Sequence, residues 1–492
     1  MRIPAFLVLA LLLAACSDQP PGGELKVAVI GDGALADSLA AEASSATLLK
    51  RGANGELVTG LATSWRFLDE GDALILRLAP LRWPGRDGRP GAELVAEDVV
   101  TSLRRPRGAV ARAVLADAGL AAKATVRAPI SRVVELLPRP PTPFLLEWLA
   151  EPVLALRNRR GEAYPCAYTE RRDGASITLR RRASTATADA QAASIIITTP
   201  DVATAVRRFV AGESHVVLGE GLGGLGTVRA GAAGRALLVE PVHGVIGLAI
   251  APPASGGRLT DPRLRRALLL AADGEVLANR FALSALQAQS RLWDGLPAPL
   301  DDRGRPAGER QAQASALLAA AGYGPVKPLA LTMLVPAGPE AELVARELAA
   351  SWAPLGITLD MVRQRRAGTA SAPASAPASA PASAPASATP RHDLALQEFA
   401  ALVPDAVAHL SRWRCGRAAP CSPAADQLLR AARNAGNDLA TRAAAVTAAE
   451  AALMADPAFI PLLRPVRWAL VAGGVTGFRA NPIGRHPLGR ML

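Results

Sequence analysis

Apolar and polar positions alternate between two periods along this chain of 492 residues. Segments with strand-like alternation, such as Glu24–Ile30 and Leu329–Val335, precede segments with apolar residues every three to four positions, such as 201–211 and 340–352. The first period places side chains on opposite faces of a strand, and the second places them along one stripe of a helix. The repeated order of strand and helix predicts an α/β fold.

Turn and cap residues indicate where several of these elements begin and end. Asp261-Pro262 begins a helix that runs through Ala272, with proline at a position where a missing N–H costs nothing. Gly322-Tyr323-Gly324 ends the helix predicted at 309–321. The other predicted elements are a helix at 96–103 and strands at 74–78, 195–198, 214–218 and 357–362.

The first sixteen residues follow neither of these patterns. Arg2 precedes an apolar run over 3–13, which is shorter than the roughly 20 residues that a membrane-spanning helix needs. The run ends in Leu13-Ala14-Ala15-Cys16, which resembles the lipobox of bacterial lipoproteins and predicts a cleaved leader with Cys16 as the acylated N-terminus. The alternative is an ordinary signal peptide with an incidental cysteine. Residues 17–23 then form a polar tether, and no later stretch is apolar for long enough to span a bilayer.

Composition and charge narrow the classes of partner. Half of the residues are hydrophobic, so a chain of this length can bury a large core and form two to three domains. The net charge of +12 raises the possibility of a nucleic-acid partner. The arginines occur in scattered groups such as Arg171-Arg172 and 180–182, without interleaved aromatic residues, and the chain is exported. We therefore exclude nucleic acid and assign the arginines to solvated faces, with attraction to an anionic bilayer as the alternative.

Four cysteines are too few for a disulfide scaffold in a chain of this length. Cys16 is assigned to the lipid. Cys415 and Cys421 enclose five residues, and in an oxidising compartment we expect them to form a disulfide. Cys166 is then left over and is interpreted as a buried thiol rather than a nucleophile, because no histidine lies near it in the sequence.

Residues 367–390 consist of Ala-Ser-Ala-Pro repeats. Their prolines block both helix and sheet pairing, and their small side chains offer little surface to bury. We predict an extended, solvated insertion, which a domain tolerates because a longer loop costs little extra entropy. Sequence drift without function and a spacer or docking segment are both open interpretations.

Short motifs spaced through the chain resemble those of the bacterial extracellular solute-binding proteins of family 5, which include the oligopeptide- and dipeptide-binding receptors of ABC importers. One is Gly60-Leu61-Ala62-Thr63-Ser64-Trp65, and another is Asp456-Pro457-Ala458-Phe459-Ile460-Pro461-Leu462. No single motif is decisive, but their shared order covers most of the mature chain. The others lie at 88–90, 96–103, 261–268, 271–273, 316–323, 355–357, 422–433, 477–478 and 481–482.

The resemblance implies a two-lobed architecture of the periplasmic-binding-protein type II, with a hinge and an extra subdomain in the first lobe. We expect 24–253 and 466–492 to form lobe I, with 48–149 as its subdomain, and 258–465 to form lobe II. A ligand would be enclosed as the lobes close, without a cofactor, a metal ion or a chemical reaction. The expected protein is a monomer in the periplasm, anchored by lipid to the cell membrane, and its partners are a small peptide or peptide-like ligand and ABC permease subunits.

Ligand contacts are expected in the second lobe. In peptide receptors of the family an aspartate there pairs with the α-ammonium of the ligand, and Asp405 is the only carboxylate in the corresponding stretch, 402–407. Trp413 is a candidate to pack over an apolar ligand side chain. The alternatives are a solvated loop carboxylate for Asp405 and a core tryptophan for Trp413. Aromatic residues make up only 4% of the chain, which leaves few rings to line a broad peptide cleft.

Other chemistry finds little support. Residues 219–224 match the Gly-x-Gly-x-x-Gly motif of dinucleotide-binding proteins, and Glu240 follows at about the distance of their acidic residue that binds the ribose. We reject a dinucleotide site, because glycines interrupt 225–235 and the pyrophosphate needs the N-terminus of a helix there. The five histidines are dispersed and form no metal-binding spacing. No nucleophile elbow is present, so we predict that the protein is not an enzyme. The alternative to an import receptor is a lipoprotein that kept the scaffold for a sensory or protein-interaction role, without import activity.

Overall fold

The computed structural model describes residues 23–31, 33–68, 72–85, 89–182, 191–231, 234, 236–252, 258–297, 302–364 and 390–492. The predicted leader with Cys16, the tether up to residue 22 and the Ala-Ser-Pro insertion up to residue 389 lie outside the described residues. None of the described helices is both long enough and apolar enough to cross a membrane.

The strands and helices alternate along the chain. The strands are β1 Glu24–Ile30, β2 Leu49–Arg51, β3 Leu57–Thr59, β4 Ala62–Leu68, β5 Ala73–Leu78, β6 Arg82–Pro84, β7 Pro90–Glu93, β8 Thr125–Ile130, β9 Val133–Leu137, β10 Tyr168–Asp173, β11 Ser176–Arg181, β12 Ser194–Thr198, β13 Val216–Glu220, β14 Leu237–Pro241, β15 Gly244–Ile250, β16 Leu329–Val335, β17 Ile357–Arg363, β18 Leu394–Ala400, β19 Phe459–Leu463 and β20 Val466–Val471. The helices are α1 Ala34–Ser44, α2 Ala96–Arg104, α3 Gly108–Asp117, α4 Leu145–Leu149, α5 Val202–Val210, α6 Leu225–Ala230, α7 Pro262–Ala271, α8 Gly274–Phe281, α9 Ala307–Ala320, α10 Pro339–Trp352, α11 Ala406–Leu410, α12 Pro423–Asn434 and α13 Leu439–Ala455.

Most predicted elements agree with the structure to within two residues. The strands β1 and β16 have the predicted bounds, and α7 begins with Asp261 as its N-cap and a proline in its first turn. The strand predicted at 214–218 instead spans Val216–Glu220, because its pairing with β20 continues through Gly219 and Glu220. The helix α6 was not expected, since Gly226 and Gly231 interrupt that segment, yet a short helix forms over Leu225–Ala230, with Gly226 inside it and Gly231 as its C-cap.

A first sheet of seven strands has the order β10-β11-β12-β1-β13-β20-β14. Strand β1 is parallel to β12 and β13, and β20 is antiparallel to both of its neighbours. The alternation in β1 explains its position, because Leu25, Val27 and Val29 point into one core with helix α1. Ala28 and Ile30 point into the core on the opposite face. The strand is therefore buried on both sides in the middle of the sheet.

A second sheet of five strands has the order β17-β16-β18-β15-β19. Strand β15 is antiparallel to both β18 and β19 and so lies inside this sheet. The sequence-based boundary had placed 244–253 with the first lobe. A short apolar run fits the interior of either sheet, and only its hydrogen-bonded partners decide which sheet it joins.

The chain crosses between these two sheets at two adjacent points. The first crossing, Val242-His243, joins β14 to β15, and the second, Arg464-Pro465, joins β19 to β20. The Val242 N–H donates to the Pro465 carbonyl at 3.0 Å, and Arg464 Nε donates to the Val242 carbonyl at 3.2 Å. The two crossings therefore lie side by side and are hydrogen-bonded to each other.

A third sheet, β4-β5-β9-β8, is antiparallel and has its own hydrophobic core with helices α2, α3 and α4. Leu74, Leu76, Val134 and Leu136 are fully buried in this core. Val403, which follows the last residue of β18 by only a few positions, is buried in the same core. The unit around the third sheet therefore contacts the segment that follows strand β18 of the second sheet.

Candidate functional site

Polar side chains bridge the first and second sheets at the carboxyl end of β13. Arg467, on β20, places Nε 3.1 Å from Glu220 Oε1 and Nη1 2.6 Å from Glu398 Oε1. Glu220 belongs to the first sheet and Glu398 to the second. Burial raises the pKa of Glu398, while the Arg467 guanidinium opposes this rise. Ligands of α/β proteins bind at the carboxyl ends of parallel strands, so this junction is the candidate site.

The glycine-rich segment 219–224 lies at this junction and contacts protein side chains. A Cβ at Gly219 would lie 2.0 Å from the Trp468 ring, and a Cβ at Gly221 would lie 2.0 Å from Glu398 Oε2. Gly221 also has a φ of +61°, which favours glycine. Gly221 therefore allows Glu398 of the second sheet to approach closely, whereas Gly219 leaves room for Trp468 on the neighbouring strand β20.

The start of α6 is occupied by a carboxylate from the second sheet's unit. The Gly226 N–H donates to Glu340 Oε1 at 2.8 Å, and Glu340 is 4% exposed in the first turn of α10. Arg229 donates to the carbonyl of Phe281 at the end of α8. A phosphate would have to replace Glu340 at this helix terminus, which supports the rejection of a dinucleotide site.

Asp405 has a different environment from the one expected for a solvated loop. It is 3% exposed and is the N-cap of α11. Its Oδ1 accepts the N–H groups of Val407 at 2.9 Å and Ala408 at 3.3 Å, and it accepts from Arg442 Nη2 at 2.8 Å. Three donors thus converge on one carboxylate oxygen. A solute ammonium would compete with Arg442 for this oxygen.

Trp413 packs in an aromatic cluster of the second sheet's unit and is 5% exposed. Its ring centre lies 5.8 Å from that of Phe399, 5.4 Å from that of Phe459 and 5.5 Å from that of His409. These contacts match the alternative that Trp413 is a core residue. A ligand contact by Trp413 remains a prediction.

The cysteines outside the leader take two different forms. Cys415 and Cys421 are joined by a disulfide that follows Trp413 in the chain. Cys166 is half-buried, rather than buried as expected, and its Sγ accepts a hydrogen bond from Lys50 Nζ at 3.2 Å. Cys16 lies outside the described residues, so its acylation remains a prediction.

The crossing between the sheets carries a second ionic group. Asp294 Oδ2 lies 2.9 Å from His243 Nδ1 and 3.1 Å from Arg464 Nη2, and each of these two residues lies in one crossing. Burial acts to raise the pKa of Asp294, but His243 and Arg464 outweigh it and lower that pKa. The His243 ring stacks on Trp293, which in turn contacts His409.

His409 makes the stability of this region depend on pH. It is 2% exposed, and burial followed by the charge of Arg412 lowers its pKa to about 3, with His243 adding to the effect and Asp294 opposing it. A histidine in the unfolded chain has a pKa near 6.5. Below that pH the unfolded chain binds a proton at His409 that the native chain does not bind. Stability is therefore lost as the pH falls through 6.5 toward 3.

Between pH 7 and pH 5 this single group is expected to lower the free energy of unfolding by about 2 kcal/mol. Urea unfolding of the wild type and of His409→Phe at both pH values measures the effect as a difference between the two proteins. His392→Gln, at a partly exposed histidine, should retain the pH dependence of the wild type. The same pH dependence in His409→Phe and the wild type would contradict this assignment.

The residues that bridge the sheets were missed in the sequence. Glu398 and Arg467 are separated by 69 positions, and Gly226 and Glu340 by 114. No pattern among neighbouring residues identifies a glutamate on a strand, or an arginine, as one half of such a pair. The repeated arginines at 412, 414 and 417 were a visible signal beside Cys415, but they were assigned to solvated faces. Within the described ranges no cluster of His, Cys, Asp and Glu side chains is arranged to hold a metal ion.

Comparison with known proteins gives matches at the level of family and fold. Residues 56–417 match the family described as bacterial extracellular solute-binding proteins, family 5 Middle. No curated protein matches the sequence. The first structural likeness is to Haemophilus influenzae OppA in complex with RPPGFSPFR, with a TM-score of 0.76 and 18% identity over 96% of this chain and 99% of that one.

Two further structures are similar over nearly the whole chain. The murein tripeptide binding protein MppA of Escherichia coli has a TM-score of 0.75 and 19% identity, covering 95% of this chain and 98% of its own. DppA from Helicobacter pylori, in complex with the peptide STSA, has a TM-score of 0.71 and 16% identity, covering 96% of this chain and 98% of its own. At these identities the likeness concerns the fold.

Proposed function

Because this chain belongs to family 5 of the bacterial extracellular solute-binding proteins, we propose that it captures a peptide or peptide-like solute between two lobes and delivers it to the permease of an ABC importer. The resemblance noted in the sequence motifs is confirmed, as is the two-lobed α/β architecture of type II. The chain is a solute-binding protein and not an enzyme.

The observation that carries the proposal is the pair of adjacent crossings between the first and second sheets. Two short connections that lie side by side let two rigid units rotate about one axis, which is how hinged receptors enclose a ligand. We assign 24–241 and 466–492 to the first lobe, with 48–149 as its subdomain, and 244–463 to the second lobe. The boundaries differ from the sequence-based ones because β15 pairs within the second sheet.

A peptide or peptide-like solute is supported by what the similar structures are described as binding. OppA was solved with a nonapeptide, DppA with a tetrapeptide, and MppA is a murein tripeptide binding protein. Backbone amides and terminal charges are common to these ligands. Closure of two lobes suits such a polar solute, because charge-assisted hydrogen bonds are strong when water is excluded.

We further propose that the mature chain is a monomer in the periplasm, anchored to the cell membrane by lipid on Cys16. Strand β1 begins at Glu24, so the tether from Cys16 would be only a few residues long. Several acyl chains on one cysteine would anchor it stably, whereas a single chain binds a membrane only marginally.

Calorimetry and small-angle X-ray scattering on the full mature chain, with Cys16→Ser to keep it in solution, test the proposal. A library of peptides with two to nine residues should include members that release heat and decrease the radius of gyration. Mass spectrometry of solute released on unfolding identifies the natural ligand class. Neither heat nor compaction with any member would overturn the proposed function.

One observation favours the second candidate, a scaffold with a sensory or protein-interaction role. Glu398–Arg467 and Glu340–Gly226 already link the two lobes through the protein's own groups. Cross-linking in native membranes separates the candidates, since an import receptor should be captured with permease subunits. Cross-links to another membrane protein and none to a permease would favour the scaffold role.

A further inference from the structure

Four guanidinium groups gather where the second lobe meets the subdomain. Arg412, Arg414 and Arg417 flank or lie within the disulfide loop, and Arg433 lies on α12. Arg433 Nη2 lies 3.3 Å from Asp117 Oδ1, at the end of α3 in the subdomain. This arginine cluster, made of these four residues, therefore spans the gap between the second lobe and the subdomain.

Three members of the arginine cluster have no carboxylate partner in the part of the chain that the structure describes. No carboxylate oxygen lies within 4.0 Å of Arg412, Arg414 or Arg417 there. The Arg412 guanidinium instead lies over the Phe399 ring, 5.3 Å from its centre. Stacking of this kind orients a guanidinium while leaving its N–H groups free to bind.

The charge of the cluster is not balanced by its surroundings. Burial lowers the pKa of Arg414, and repulsion by Arg417 and Arg433 lowers it further, against the attraction of Asp117 and Asp426. Asp405, the other nearby carboxylate, is already paired with Arg442 at 2.8 Å. Two carboxylates thus face four guanidinium groups, and an anion at this place would relieve the repulsion.

An open cleft of about 770 Å³ lies between the second lobe and the subdomain, one residue along the chain from Arg433. Asn434, which directly follows Arg433, lines it from the second lobe, and Lys123 and Arg139 line it from the subdomain. Its acidic lining residues are Asp72 and Asp438, and Asp438 already accepts from Thr441 as a helix cap. Two further cations therefore face this cleft, which is large enough for several residues of a peptide.

We infer that the arginine cluster binds an anionic side chain of the solute, so that this receptor prefers acidic peptides or peptide-like solutes over neutral and basic ones. This inference rests on the proposed function. Arginine suits the role because its planar group donates two parallel hydrogen bonds to one carboxylate. The Arg433–Asp117 pair forms only when the second lobe and the subdomain lie together, so a bound anion would also favour closure.

Calorimetry with matched tetrapeptides tests the inference on the full mature chain with Cys16→Ser. Ala-Glu-Glu-Ala, Ala-Gln-Gln-Ala and Ala-Lys-Lys-Ala differ in charge at nearly constant size. We expect the acidic peptide to bind at least about tenfold more tightly than the neutral one, and the basic peptide to bind most weakly. The preference should decrease as salt is added, since exposed charges are screened.

Variants then locate the preference. Arg412→Gln with Arg414→Gln should bring the affinities for the acidic and neutral peptides to within about threefold of each other. Arg430→Gln, at an exposed arginine on the same helix α12, is the matched control and should keep the wild-type preference. Arg412→Lys retains the charge without the planar group and should give an intermediate ratio. Urea unfolding of each variant verifies that it is folded.

The outcomes separate this inference from the function on which it rests. If peptides bind with no preference for acidic side chains, this inference is wrong, but the proposed function as a peptide receptor is not contradicted. An acidic preference that persists in the double variant would also overturn it, because the anion would then bind elsewhere. No binding by peptides of any charge or length would overturn the proposed function itself.

Discussion

Replacement of Glu450 by alanine is expected to lower the free energy of unfolding by about 3 to 5 kcal/mol. Glu450 lies on α13 and is 0% exposed. Its Oε2 accepts from Arg291 Nη2 at 2.6 Å and its Oε1 from the Leu292 N–H at 3.1 Å, while Arg303 Nη1 lies 3.6 Å from Oε1. The variant leaves two buried guanidinium groups without this carboxylate, and an uncompensated buried charge is costly.

Urea unfolding followed by circular dichroism measures this loss. Glu309→Ala is the matched control, because Glu309 is an exposed helix residue whose nearest arginine nitrogen, Nη1 of Arg305, lies 3.9 Å away. An exposed pair of this kind contributes at most about 1 kcal/mol. Equal losses for the two variants would show that the Glu450 network does not stabilise the second lobe as its geometry indicates.

Asp405→Ala is expected to cost about 3 to 5 kcal/mol of stability and to leave the peptide affinity of the folded protein within about threefold of the wild type. The variant removes the cap of α11 and leaves Arg442, which is 7% exposed, without its carboxylate. The loss of the buried charge partner dominates, since a helix cap alone contributes about 1 kcal/mol.

Asp438→Ala is the control for the cap alone. Asp438 accepts the Thr441 N–H at 3.1 Å at the start of α13, and its carboxylate has no arginine partner among the described residues. Its loss should therefore destabilise the protein much less than the loss of Asp405. If Asp405→Ala instead kept its stability and lost peptide affinity tenfold or more, the sequence-based assignment of Asp405 to the ligand ammonium would be correct.

Local patterns were sufficient to place most elements. Strands β1 and β16 and helices α7 and α10 follow from side-chain periods and cap residues that occur within one short segment. The predicted boundary at residue 253 placed β15 with the first lobe, because a run buried on both faces shows no alternation that assigns it to one sheet. The short helix α6 was missed, because glycine propensity argues against a helix there while packing against the second lobe favours one.

The candidate site was much harder to predict than the fold. Asp405 and Trp413 were selected by resemblance, and both lie buried among partners of the second lobe. The groups that bridge the lobes belong to strands in two sheets. Glu220 and Arg467 are brought together by strand pairing, and Glu398 reaches Arg467 from the second sheet. The arginines near Cys415 were visible in the sequence. Their position near the subdomain was not, because the contact with Asp117 joins residues that are far apart in the sequence.

By itself, the sequence determined an α/β chain with the motif order of a solute-binding family, and it predicted an export leader, because periodicity, caps and short motifs are properties of neighbouring residues. The tertiary structure alone decided where the chain crosses between its sheets and which charges meet across the gap. Those contacts join residues up to hundreds of positions apart. The energies of these contacts depend on the burial of the charged groups and on the distances between them, and folding sets both.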